Sequence, residues 1–298
     1  MLMNGIKPHS EGAVSNVSAR ASTQKVLMRW LKLNWLQNGT AEKVASPRLE
    51  LAPPRYEPVV DSRDAGSARI LTGRCYNVCV FISHNLEQGW TRRAKEDMFE
   101  KVRAAERWAL RQAEVWGAPL EFIPASCFGL EEDIRPVRFP AAHTDPTVHE
   151  CWAGILAQLG WPGRTLFEWA KAHHQAENVA VLLFSSAAGR SFAMPFCGHP
   201  SCQWLEAAVI YRRQVGFSVP TNGALIAHEI MHLYGAWDLY AEGGFTSQQE
   251  KLAQRLYPSD IMVGPLNTLR TATISPFTAW RIGWHHPAST VLFQRLRG

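Results

Sequence analysis

The chain has 298 residues, 46% of them hydrophobic and 10% aromatic, enough for one large domain or one domain plus an extension. The 31 Lys and Arg against 26 Asp and Glu give a net charge of +5, mild for this length, and the pairs Arg92-Arg93 and Arg212-Arg213 are too short to make a nucleic-acid-binding stripe. No apolar run approaches the roughly 18 residues of a membrane span.

The opening MLMNGIKPHSEG has no continuous apolar core, so no secretory signal is expected. A cytoplasmic location is the default expectation, with signal-independent export left open. Residues 1–66 form an expected N-terminal extension, rich in Ser, Asn and Gly and closing on Pro53, Pro54 and Pro58. Within it, Lys25 to Leu36 is a short apolar and basic helix candidate. It suits packing on the rest of the chain or a partly ordered tail; a membrane-surface helix and an inhibitory pro-segment are the alternatives. No cysteine precedes Cys75, so no thiolate from this extension can block a metal.

From Ser67 the pattern becomes regular. Tyr76–Ser83 reads as a strand of β-branched and aromatic residues. Thr91–Trp116 reads as a long helix, with Met98, Val102, Ala105, Trp108 or Ala109, and Val115 at helical spacing. Gly117-Ala118-Pro119 ends it, and Leu120–Ala125 is a second strand. A strand, a crossover helix and a strand imply a parallel pair. Residues 126–145 are irregular, with Pro136 and Pro140; Asp145 or Thr147 can cap a helix through Leu159, and Thr165–His174 is a further helix. Asn178–Ser186 is a continuous apolar strand suited to the centre of a sheet. Gly189–Phe196 suits a short edge strand, and Leu205–Arg212 is another strand. A helix follows, capped by Thr221 or Asn222. After Asp238 come a turn at Gly243-Gly244, a polar helix over Thr246–Leu256, a turn through Asp260 to Pro265, and a last helix opened by Ser275-Pro276. The predicted class is α/β (α+β), a twisted mixed sheet with a long crossover helix.

The chemistry concentrates in Gly223 to Asp238, GALIAHEIMHLYGAWD. His228 and His232 stand four apart, on one face of a helix, and can ligate one zinc ion. Glu229 sits beside the first histidine, where a carboxylate can act as general base on water. Ala224, Leu225, Ile226, Ala227, Ile230, Met231 and Leu233 supply helix formers and an apolar back face. Gly235 suits a left-handed helix end, and the turn after it lets Asp238 return as a third ligand. Three ligands with one open position is the arrangement of a catalytic zinc. The plain alternative is a core helix that happens to carry two histidines.

The other cysteines are less informative. Cys75 and Cys79 fall on one face of one predicted strand, too far apart to pair. Cys197 and Cys202 bracket a short loop holding His199. Free thiols, a loop disulfide, or a second zinc site completed by Cys151 or His149 are the three readings there.

His228, Glu229, His232 and Gly235 match, position by position, the motif of the metzincin clan of zinc proteases, which the chain resembles. Asp238 in place of a third histidine is similar to the snapalysin-type and immune-inhibitor-A-type bacterial proteases, and Tyr240 extends the likeness. Asp260-Ile261-Met262 resembles the clan's Met-turn; an ordinary core methionine is the plain alternative for Met262. The resemblance spans about 67–298 and is dense in motifs only over 224–238 and 257–284. It implies a metzincin-like zincin fold with an upper part, 67–235, and a small lower part, 236–298. It also implies Zn2+ held by His228, His232 and Asp238, Glu229 as catalytic base, and a protein or peptide substrate lying along the edge strand. Two departures stand out. No tyrosine follows Tyr257 to assist the oxyanion, and that support is unassigned. Glu250 on the later helix is an alternative third ligand of the thermolysin type, but Gln254 stands where that pattern needs an aspartate.

The expected activity is that of a zinc endopeptidase, best at neutral to mildly alkaline pH, since an anionic ligand weakens the Lewis acidity of the metal. A zinc amidohydrolase acting on a non-protein amide and a non-catalytic binding protein on a metalloprotease-like core are the alternatives. Glu229 argues against the latter, because a scaffold needs no general base.

Overall fold

The computed structural model describes residues 66–83, 89–128, 148–161, 165–194, 205–215, 220–264 and 268–286. All of them belong to a compact unit spanning 52–298. The extension expected over 1–66, apart from Gly66, lies outside the described residues, as do Asp145, Thr147, Cys197, His199 and Cys202.

Five strands form one sheet: β1 (Gly73–Ile82), β2 (Leu120–Phe128), β3 (Asn178–Gly189), β4 (Phe192–Met194) and β5 (Glu206–Gln214). Their order is β2-β1-β3-β5-β4. The first four run parallel, and β4 is antiparallel to β5 at the edge, with Phe192 opposite Val209 and Met194 opposite Ala207. The central position expected for the 178–186 run is observed. Its reason is double-sided burial: Ala180, Leu182 and Phe184 face one core while Val179, Val181 and Leu183 face the other. A strand covered on both faces has no polar side to alternate with.

The helices divide between these faces. α1 (Arg92–Trp116), α4 (Gly223–Leu233), α5 (Ser247–Leu256) and α6 (Pro276–Arg281) contribute to the first core, and α2 (Val148–Gln158) and α3 (Thr165–His174) to the second. Thr91 caps α1 by accepting from Ala94 N, and Gly117, at φ 68°, closes it. The buried stripe of α1 is Met98, Val102, Ala105, Trp108, Ala109, Ala113 and Trp116. Val115, expected on that stripe, is 59% exposed. Successive residues turn by about 100° in a helix, so Val115 lies beyond the edge of the stripe and Trp116 takes the core position.

The C-terminal part shares the first core rather than building its own. Ala68 and Leu71 join Phe277, Trp280, Ile282 and Trp284 in one cluster with the sheet and α4. Tryptophans stitch it together, since a buried indole must place its N–H. Trp108 donates to Ala272 O at 3.0 Å, Trp116 to Ile274 O at 3.3 Å, and Trp284 to Leu71 O at 2.5 Å. This packing brings Ile261 and Met262 under α4, where the site lies. No helix among the described residues is long and apolar enough to cross a membrane.

Candidate metal centre

Local sequence sets the first two side chains. Asn222 caps α4, its side chain accepting from Leu225 N at 2.9 Å. The other cap candidate, Thr221, instead bonds the Tyr211 carbonyl and the Gln214 side chain. At the far end Gly235 adopts φ 100°, its N–H donating to His232 O at 2.9 Å, while Ala236 N donates to Met231 O at 3.0 Å. That pair of bonds is a Schellman ending, which requires a left-handed residue and so favours glycine. It turns the Ala236 carbonyl back to His232 Nδ1, at 2.9 Å. His228 Nδ1 lies 3.0 Å from the Ile261 carbonyl, supplied from 33 residues away.

Those two carbonyls decide the tautomers. A carbonyl only accepts, so each Nδ1 carries the hydrogen and each Nε2 of the neutral ring presents a lone pair. The two Nε2 atoms are 3.1 Å apart, and Asp238 Oδ1 lies 3.1 Å from one and 3.2 Å from the other. Oδ1 is buried and has no hydrogen-bond partner among the described residues. Three electron pairs thus converge on one point with no hydrogen between them, an arrangement that calls for a cation. Ligand atoms around a tetrahedral zinc with bonds of about 2.0–2.2 Å stand roughly 3.3–3.6 Å apart, slightly more than these separations. His228, His232 and Asp238 are the one group of this kind among the described residues.

In the metal-free protein a proton takes that place. Burial pulls the His228 imidazole down, but the bond and charge of Asp238, the charge of Glu229 and the Ile261 carbonyl outweigh it and push the ring up to about 9. Burial likewise works against the ionised Asp238, yet the two histidines hold its carboxyl well below the usual carboxylate range.

Glu229, one residue along α4, is 4% exposed. Burial raises its carboxyl above the ordinary value against the pull of both histidines, and its Oε2 has no partner among the described residues. Tyr240 closes another side. Its hydroxyl bonds Asp238 and is pushed up, first by burial and then by that carboxylate. Arg190, at the end of β3, bonds Tyr240 and pairs with Glu242 at 2.9 Å. Arg190 and the Tyr240 hydroxyl are polar groups that sequence reasoning did not place at the site. The Asp-x-Tyr spacing was a signal for Tyr240; nothing local points to Arg190.

Met262 is fully buried in the first core, and the Met262 carbonyl accepts from Leu239 N at 2.8 Å, next to Asp238. Glu250, the alternative ligand, lies elsewhere: its carboxylate accepts from Ala241 N at 3.2 Å and from the Gln254 amide at 2.9 Å. It supports a short 3-10 turn, Ala241–Gly243, that the sequence reading did not anticipate. Cys75, Cys79 and Cys151 are not in disulfides.

No protein-family model matches the chain, and no curated protein matches its sequence. Among solved structures, metalloproteinase-II from Bacteroides fragilis aligns with a TM-score of 0.39 and 12% identity, over 81% of this chain and 57% of that one. The chain therefore spans little more than half the length of that protein. The site is read on its own residues.

Proposed function

We propose that the chain is a zinc-dependent endopeptidase of the metzincin type, with His228, His232 and Asp238 as ligands and Glu229 as general base. The observation that carries this reading is the convergence of three donor atoms, 3.1–3.2 Å apart, beside the buried carboxylate of Glu229, whose Oε2 has no partner among the described residues. Zinc in that position would supply a Lewis acid for the scissile carbonyl and for the attacking water. Glu229 takes the water proton and returns it to the leaving amine; burial raises its carboxyl, which favours its holding that proton in between. The substrate backbone adds along the outer edge of β4, the last strand in the order, which pairs with β5 on its inner side. Arg190, which bonds Tyr240 beside the site, supplies a donor for the developing oxyanion, a role the sequence left unassigned. Met262 packs beneath the ligands as a Met-turn methionine.

The test compares wild type with Glu229→Ala in a cell lysate, mapping new peptide termini and measuring bound metal in both. Termini that appear only with wild type, at equal metal content, support the reading. A Glu229→Gln protein that keeps its metal and its full activity would sink it. Turnover of small amides with no peptide cleavage would move the assignment to an amidohydrolase.

A further inference from the structure

We propose that Asp260 is a positioning residue that fixes the orientation of His228, acting through the peptide group between Ile261 and Met262. The inference rests on the metal-site reading above. Asp260 is fully buried, and a carboxylate in such a place must have its acceptor capacity filled. One oxygen, Oδ1, accepts from Met262 N at 2.7 Å; the other, Oδ2, accepts from Ser275 N at 2.6 Å. The Ser275 hydroxyl bonds the same carboxylate.

The geometry turns on one planar unit. The N–H of Met262 and the C=O of Ile261 belong to the same peptide group, whose atoms move together. Asp260 holds its N–H end, and His228 Nδ1 meets its C=O end at 3.0 Å. Rotating the peptide to satisfy one end would lose the other. An acceptor held on the N–H also polarises the group and makes its carbonyl a stronger acceptor for the imidazole N–H. A carboxylate thus reaches the histidine as in carboxylate–histidine–metal triads, but across one peptide. Neighbouring bonds stop the unit from drifting: Ile261 N donates to Thr273 O at 3.0 Å, and Leu239 N donates to Met262 O at 2.8 Å. Asp260 therefore lies behind His228, while the chain around Asp238 leans on the same turn.

The experiment loads wild type and Asp260→Asn with cobalt(II), measures its dissociation constant by chelator competition and records the visible ligand-field spectrum, well below the unfolding midpoint of each. The amide keeps one acceptor but presents an N–H to the second donor. The expected result is a dissociation constant raised about tenfold or more together with an altered spectrum. Trp152→Phe, which removes the bond from Trp152 Nε1 to Leu205 O in the opposite core, serves as a control of lowered stability and should leave both readouts unchanged. An Asp260→Asn protein that loses stability but keeps the wild-type constant and spectrum overturns the inference. If that variant does not fold, Ser275→Ala decides: it keeps the backbone donor but loses the hydroxyl, and should weaken cobalt binding about tenfold, the lower edge of such outer-shell effects. An unchanged constant there also overturns it. A wild-type protein that takes up no cobalt overturns the metal-site reading itself, and this inference with it.

Discussion

Gly243 lies so close to Asp238 that a Cβ placed on it would overlap the aspartate's own Cβ and carboxyl. The 3-10 turn of Ala241–Gly243 thus folds onto the ligand, and only a residue without a side chain fits. Gly243→Ala is expected to push Asp238 off the histidines and weaken metal binding about tenfold or more. Asp238 also favours the protonated His228 of the metal-free fold, so that form should lose stability as well, on the order of 1 kcal/mol. Chelator competition and thermal unfolding of the metal-free form check the two halves separately.

Metal uptake should depend on pH through His228. Its folded value of about 9 lies above the ordinary 6.5 because Asp238 and Glu229 favour the imidazolium over the burial that opposes it. A raised value means the metal-free fold binds this proton more tightly than the unfolded chain. Its stabilising effect is present below pH 6.5 and is lost as the pH climbs through about 9. A metal must displace that proton, so apparent affinity should rise over the same window. Titrating the melting temperature of chelator-treated protein from pH 6 to 10 tests the first statement, and cobalt binding at each pH tests the second. A melting temperature flat across the window contradicts the assignment.

A second pH effect comes from a carboxyl outside the metal site. Glu106 on α1 is 8% exposed and accepts from the Asn77 amide at 2.7 Å. Burial raises its carboxyl above 4.5, against the lowering effect of Asn77, Arg103 and Arg107. The fold therefore favours the protonated acid, and stability declines as pH rises from 4.5 through the folded value. Glu106→Gln keeps the acceptor for Asn77 without the charge. It should be more stable than wild type at pH 8 and should flatten that part of the profile, read from urea midpoints at several pH values.

Trp108 makes the junction between α1 and the segment beneath the site. Trp108→Phe removes the donor to the Ala272 carbonyl and leaves that acceptor buried. The expected cost is roughly 1–3 kcal/mol, measured by urea unfolding. Cobalt affinity should fall less than in Gly243→Ala, because Trp108 bonds Ala272 rather than a ligand or Asp238's neighbours.

Much of the site is written locally. Two histidines one helical turn apart, Asn222 at the start and Gly235 at the end define α4 and aim both rings from the sequence alone, because helix periodicity and capping are short-range properties. The Schellman ending even supplies the Ala236 carbonyl to His232. The apolar run at Asn178–Ser186 likewise implied a central strand, since burial on both faces leaves no place for polar residues. Other features belong to tertiary structure. The Ile261 carbonyl on His228, the carboxylate of Asp260 behind it, Arg190 against Tyr240 and the close approach of Gly243 to Asp238 join segments with no shared period. Val115 fits an apolar spacing and still faces solvent, because the stripe is set by what packs against α1. The sequence determined the two-histidine helix and its ends, through forces acting within a few residues. Only the folded chain decided what holds His228 in place, because its support comes from a turn that a shared core and the hydrogen bonds of Trp108 and Trp116 carry beneath that helix.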